Sequence, residues 1–365
     1  MKKITLPKFL NNFSLPGFKK QQLALGLDIG SYSVKVCELT STPDGCRLLK
    51  LGSAKLPDGA VEDGVLQDPD SVGNVISTLI NNLKIKSKKV AISISGYSVI
   101  VKKINLAVMT KEELEEHIQA EAEQYIPFDI DDVYLDFQDL KTNTEESDRT
   151  DIMLVAAKKD VVRTYLNMLE KVGLQTVVVD VDAFALENSY ENIESLTENV
   201  ALIDIGASKM SINIIANGTS ILARDVVMGS RQITEQIQTQ LDMNTEDAEA
   251  AKTGLTELNP DQQGLVKEIF VNTCTQWVLE IKKAIDFYLS SYPNDSINRL
   301  ILSGGGSKIT GFDTFLNEET KIKVETFDPF CKAESNADKI DPAYLEHIAP
   351  EMAIAAGLAI RKAEL

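Results

Sequence analysis

Two segments of the chain carry the same arrangement of reactive groups: Leu27-Asp28-Ile29-Gly30-Ser31 near its start and Ile203-Asp204-Ile205-Gly206-Ala207-Ser208 past its middle. In each, an apolar run ends in Asp-Ile-Gly, a short polar turn follows, and a second apolar run returns. Carboxylate oxygen suits a hard cation such as Mg²⁺, so Asp28 and Asp204 are candidate metal ligands. Gly30 and Gly206 let backbone approach closely, and the turn amides and hydroxyls around Ser31, Tyr32, Ser33, Ala207 and Ser208 can cradle anionic oxygens. Lys35 lies two positions past Ser33, on the same strand face, and adds a point charge, with a solvated face as the alternative reading. One Asp-x-Gly is an ordinary turn. Two copies roughly half a chain apart argue for a duplicated fold that holds a phosphate between its halves.

Three further groups could complete such a site. Asp182 and Glu187, on a predicted helix upstream of the second copy, stand where a water could be oriented, although a solvated helix face accounts for them as well. Ser303-Gly304-Gly305-Gly306-Ser307 follows an apolar strand and precedes a predicted helix over 310–319, so its backbone could lie flat against a planar or phosphorylated group at a helix N-terminus. Glu249 and Lys252 share one helix face and could reach a ribose or a base edge, or simply pair with each other on the surface.

The elements that must position these groups follow from periodicity. Apolar β-rich runs occupy 23–29, 34–40, 90–94, 99–106, 133–140 and 152–157. Thr110 with Glu113 forms a capping box ahead of a helix that Pro127 ends, and Asp160 is placed to cap another that closes at Gly173. The block 90–175 therefore reads β-β-α-β-β-α and is taken as an α+β subdomain inserted in the first lobe, whose core is 23–89 completed by 176–199 and 345–365. The second lobe is 200–344. It opens with strands joined by a tight turn at Asn217-Gly218, includes a helical part at about 230–260, and the chain finishes in a helix from Pro350.

Composition narrows the function. With 365 residues two domains are expected. A formal net charge of −18 argues against broad nucleic-acid binding, which uses Lys and Arg to replace counterions. Cys37, Cys46, Cys274 and Cys331 lack metal-ligand spacing, which argues against a zinc site or disulfide framework and for a reducing compartment. No run is long enough for a membrane span, so membrane contact is expected to be indirect. The stretch 1–22 is basic, with phenylalanines broken by Pro and Gly, and reads as a tail or a docking arm.

In order, the phosphate hairpin, second Asp-Ile-Gly hairpin, Ala248-Glu249-Ala250-Ala251-Lys252 helix and strand-Gly-Gly-Gly segment resemble the actin/Hsp70/sugar-kinase superfamily over nearly the whole chain. The inserted block, with Ala120-Glu121-Ala122-Glu123-Gln124-Tyr125-Ile126-Pro127-Phe128 and Asp132-Val133-Tyr134-Leu135-Asp136, is similar to that of the PilM family of type IV pilus assembly proteins, relatives of the cell-division actin FtsA. The resemblance implies an α/β actin-like ATPase fold of duplicated ribonuclease-H-like lobes. It implies ATP with Mg²⁺ between them: Asp28 and Asp204 on the metal, Ser31, Ser33, Lys35 and Ser208 on phosphate, Glu249 and Lys252 on ribose or base, and Gly304, Gly305 and Gly306 on the adenosine. Asp204 and Glu187 are the candidate catalytic groups of what would be at most a slow ATPase. It also implies a cytoplasmic scaffold, peripheral on the inner membrane and recruited by the N-terminal cytoplasmic peptide of PilN. Other platform proteins, the assembly ATPase and further copies of the chain are candidate partners. The alternatives are an FtsA-like filament former, against which the absence of a closing amphipathic helix weighs, and a small-molecule kinase.

Overall fold

The computed structural model describes residues 24–43, 45–140, 148–194, 197–335 and 340–361, so the basic stretch 1–22 lies outside the described residues. The first lobe opens with β1 (Leu25–Ile29), β2 (Ser33–Thr42) and β3 (Gly45–Lys55), then a ribbon of β4 (Val61–Glu62) and β5 (Val65–Leu66), helix α1 (Pro69–Asn82) and β6 (Lys89–Ile94). An excursion follows through β7 (Val99–Ala107), α2 (Lys111–Ala122), β8 (Val133–Asp139) and β9 (Arg149–Lys158). The chain returns by α3 (Lys159–Lys171), β10 (Gln175–Val181) and α4 (Asp182–Glu191). The second lobe contains β11 (Val200–Ile205), β12 (Met210–Ala216), β13 (Thr219–Val226), α5 (Arg231–Leu241), α6 (Thr245–Lys252), α7 (Pro260–Ser291), β14 (Arg299–Ser303), α8 (Phe312–Thr320) and β15 (Lys323–Thr326). Helices α9 (Pro342–Ile348) and α10 (Ala353–Ala359) come back to the first lobe.

The two main sheets repeat one topology, β10-β6-β1-β2-β3 and β13-β12-β11-β14-β15, each built on an antiparallel hairpin whose first strand pairs in parallel on its other side. Asn217 and Gly218, both at positive φ (53° and 75°), form the tight turn expected between β12 and β13. Alternation along the Asp-bearing strands then aims both carboxylates. In β1, Leu25, Leu27 and Ile29 face the α1 and α3 core, which leaves Asp28 on the other side. In β11, Ala201, Ile203 and Ile205 join the core under α5 and α7, while Val200 and Leu202 pack with residues of α4 and α10. Asp204 shares the latter parity. Helices α4 and α10 thus form a layer common to the two lobes, and Asp28 and Asp204 lie on the sheet faces turned toward it.

Close packing of α10 depends on Gly357, where a Cβ would fall inside the Ala185 carbonyl of α4. Gly357→Val should therefore lower the unfolding free energy by about 3 kcal/mol, the upper end of ordinary overpacking. Gly264→Ala in α7, where a Cβ meets open space, should raise it by about 0.5–1 kcal/mol. Urea denaturation of the two variants checks both signs.

The inserted subdomain is smaller than the 90–175 block suggested by the sequence. β6 pairs in parallel with β1 and β10, and Tyr165, Met168 and Leu169 of α3 enter the first-lobe core, so both elements belong to that lobe. The insertion is the three-stranded sheet β7-β9-β8 with α2 on one face. The Thr110–Glu113 capping box starts α2 with both of its hydrogen bonds present. Asp160 does not cap α3, which begins one residue earlier without a side-chain cap; its carboxylate accepts from the Val161 N–H instead (2.7 Å). The closing segment from Pro350 begins as a 3₁₀ turn, Ala349–Met352, before α10.

Candidate functional site

A cleft of 1170 Å³ lies between the lobes and brings together most of the residues singled out from the sequence. Gly30, Ser31, Tyr32, Ser33 and Lys35 line one wall, Gly206, Ala207 and Ser208 another, and Glu249, Lys252, Gly304 and Gly305 a third, with Asp28, Asp182 and Asp204 at the same cavity. The two hairpin turns are built alike. The Gly30 N–H donates to the Ser33 carbonyl (3.1 Å) and the Gly206 N–H to the Lys209 carbonyl (2.9 Å). This makes Lys209 the counterpart of Ser33. Asp28 stands opposite Lys35 across its hairpin, and Asp204 opposite Ser211. Each hairpin thus offers one lysine to the cleft, two residues apart in register and on the same strand face.

Those lysines neutralise two of the three aspartates. Lys35 Nζ lies 2.9 Å from Asp28, and Lys209 Nζ lies 2.7 Å from Asp182 at the first turn of α4. Burial raises the Asp28 carboxyl above the usual carboxylate range despite the neighbouring Lys35, with Asp182 adding to the rise. At Asp182 burial acts in the same direction, but Lys209 outweighs it and the carboxyl stays below its ordinary value. Burial opposes the charge on both lysines, yet their aspartate partners hold both above the ordinary lysine value. Asp204 differs. It accepts a hydrogen bond from the Ser303 hydroxyl (2.8 Å), and burial pushes its carboxyl up to about 6.

The arrangement revises four expectations. Asp28, expected on a metal, is engaged by Lys35, whereas Asp204 accepts from the Ser303 hydroxyl. Among the described residues no cluster of three His, Cys, Asp or Glu could hold a metal alone. A Mg²⁺ carried in by phosphates and touching one carboxylate fits this donor set, since that ion keeps several waters and prefers few protein ligands. Glu187, expected beside the reacting groups, does not line the cleft. Five residues past Asp182 it is turned roughly 140° round α4, where burial and Glu191 push its carboxyl up to about 8 and Asn213 hydrogen-bonds it. Gly306 is also outside the cleft lining; a Cβ there would collide with the Ile205 side chain, so it serves packing of the loop on β11. The glycine loop runs into a 3₁₀ turn, Gly305–Lys308, and α8 starts only at Phe312, so no α-helix N-terminus caps the loop directly.

Other cleft groups were not legible from the sequence as site residues. Gly229, where a Cβ would collide with the Ala207 carbonyl, lets the start of α5 lie on the second hairpin. The Ser230 and Arg231 amides there donate to the carbonyls of Gly206 (3.0 Å) and Ala207 (2.8 Å). Arg231 then crosses the cleft to the Ser31 carbonyl (3.0 Å). Lys308 joins the glycine loop to Glu351 and His347 of the first-lobe side. Glu249 and Lys252 do pair (2.8 Å), but within the cleft wall and shared with Thr234, which donates to Glu249 (2.7 Å). Lys209 could have been found by superposing the two hairpins on their Asp-Ile-Gly triplets.

The sequence model of the type IV pilus assembly protein PilM matches residues 26–363. The chain belongs to the PilM family. It is similar to the solved PilM–PilN type IV pilus biogenesis complex at a TM-score of 0.83 and 27% identity, over 94% of this chain and 100% of that one. It is 22% identical over 258 residues to the cell division protein FtsA of Bacillus subtilis (strain 168). That match takes in 64% of this chain and spans 58% of the length of FtsA. EutJ from Carboxydothermus hydrogenoformans (TM-score 0.54, 14% identity, 96% of this chain and 92% of that one) shares the fold. So does the MamK double helical filament (TM-score 0.52, 13% identity, 93% and 98%). The fold is the actin-like one, with the insertion in its first lobe. No helix among the described residues is long and apolar enough to cross a membrane.

Proposed function

We propose that the protein is a nucleotide-responsive scaffold of type IV pilus assembly, binding Mg-ATP in the cleft and the N-terminal cytoplasmic peptide of PilN on the side of the insertion. The observation that carries this reading is the convergence of both Asp-Ile-Gly hairpins, each with its lysine, on one interlobe cavity in a chain so similar to the PilM of the PilM–PilN complex. PilN would hold the protein at the cytoplasmic face of the inner membrane.

In the cleft the chain binds and orients. Ser31, Ser33 and Ser208 with the turn amides donate to phosphate oxygens, and Lys35 and Lys209 supply charge. Glu249 and Lys252 face the ribose and base, and Gly304 and Gly305 leave room for the adenosine. Asp204 would hold a Mg²⁺ brought in with the phosphates, which would supply neutralisation of their charge. Asp182 is committed to Lys209, which leaves it a poor base for phosphoryl transfer to a small-molecule acceptor. A ligand shifts the arrangement of two lobes only through unequal affinity for the alternatives, and the residues that span the cleft, Arg231, Lys209 and Lys308, are where that inequality would arise.

Calorimetric titration with the PilN N-terminal peptide, with and without Mg-ATP, tests the reading. The peptide should bind, with affinities differing about fivefold or more between the two conditions. Equal affinities contradict the nucleotide response; no binding in either condition contradicts the partner.

A further inference from the structure

We propose that Lys209 senses an anion in the cleft and transmits its presence to the inserted subdomain through Asp225 and the backbone of Gly96. The inference rests on the nucleotide reading above and specifies how that site is regulated.

The Lys209 ammonium has three hydrogens, and three acceptors take them: Asp182 (2.7 Å), Asp225 (3.2 Å) and the Ser211 hydroxyl (3.3 Å). Lys209 lines the cleft, whereas Asp225, on β13, does not. The register places Ser211 opposite Asp225, on the face Lys209 shares, and the Ser211 hydroxyl donates to that carboxylate. The same Asp225 oxygen that meets Lys209 accepts the Gly96 N–H (2.8 Å). Gly96 sits where the chain leaves β6 for β7, the root of the insertion. Its φ of 79° and the closeness of the Asp63 carbonyl fix that corner. The insertion is therefore fastened to the first lobe by its chain and to the second by Asp225. Lys103 of β7, which donates to the Tyr292 hydroxyl just past α7, fastens it again.

An incoming anionic oxygen must displace one of the three acceptors to gain a hydrogen from Lys209. Asp182 holds the shortest contact and is the more enclosed carboxylate, so the anion takes the place of the outer acceptors, the more exposed Asp225 together with the Ser211 hydroxyl (3.3 Å) that donates to it. Asp225 then keeps its negative charge beside a bound anion without its cation, and repulsion drives it away from the cleft. Gly96 then loses its acceptor. Coupling of this kind is reciprocal: a partner that shifts the root of the insertion changes how freely Lys209 meets the anion.

Hydrogen exchange at Gly96 in the full chain, with and without saturating Mg-ATP and with occupancy followed by calorimetry, tests this. In the unaltered protein the Gly96 amide should exchange about fivefold or more faster when the nucleotide is bound. Asp225→Ala should exchange fast in both states. Asp225→Asn retains an acceptor oxygen without the charge and should stay protected in both. Gly96 exchange that ignores a fully bound nucleotide, or an undiminished response in Asp225→Ala, overturns the coupling while leaving nucleotide binding standing. A chain that takes up neither Mg-ATP nor pyrophosphate overturns the nucleotide reading and the relay together.

Discussion

Lys35→Ala should lower the unfolding free energy by about 3–5 kcal/mol at neutral pH, because it strands Asp28 as a buried carboxylate without its partner. The cost arises from the orphaned charge rather than from the loss of an attraction, and this gives the effect a signature. Burial already raises the Asp28 carboxyl, and Asp182 raises it further; without Lys35 nothing on its own hairpin opposes that rise. The folded variant would then bind a proton at pH values where the unfolded chain has lost it. Its stability must fall as pH increases through that interval and recover as pH decreases. Chemical denaturation of the variant and the parent at pH 5 and pH 8 should show the deficit shrinking at the lower value. A deficit that is the same at both would mean that Asp28 is not the group left unpaired.

Asp204 gives the second large effect, on the ligand. Its carboxyl stands at about 6, against an ordinary 3.8, chiefly through burial. Between those values the folded chain keeps a proton that the unfolded chain gives up, so this group lowers stability as pH rises toward 6 and changes it no further above. Cation binding runs the other way, because it needs the ionised form. Mg-ATP affinity should hold steady above pH 6 and fall by up to about tenfold per pH unit below it. Asp204→Asn, which can still accept from Ser303, should abolish that pH dependence, bind Mg-ATP more weakly at pH 8, and be more stable than the parent there. Binding isotherms from pH 5 to pH 8 beside denaturation curves would separate the opposite signs.

Much of the cleft was legible because strand periodicity is local. Once Leu25, Leu27 and Ile29 are assigned to a core, Asp28 must face away from it, and the repeat in Ile203 and Ile205 places Asp204 by the same argument. The glycine turns and Lys35 follow from their distance along the strand. What was not legible depends on how elements meet. Lys209 matters because the first turn of α4 brings Asp182 to it, and no spacing in the chain announces that meeting. Glu187 faces away from the cleft because five residues of helix turn it to a different side from Asp182, and the phase of α4 is set by its packing on α10. Gly304 and Gly306 look equivalent in sequence, yet only the first lines the cleft while the other makes room for Ile205. The limits of the insertion are not legible because β6 and α3 have the patterns of any strand and helix, and sheet membership is decided by which strand lies alongside.

The paired hairpins gripping Mg-ATP are tested most directly by calorimetry on the double variant Asp28→Ala/Lys35→Ala. It removes both members of the buried pair, so no charge is left uncompensated and the fold should persist, with unchanged helix content by circular dichroism. The unaltered chain should bind one Mg-ATP per molecule, and the double variant should show no saturable binding at concentrations that fill the parent. A folded double variant that binds Mg-ATP as tightly as the parent would contradict the account, since the nucleotide would then lie somewhere other than between these two turns.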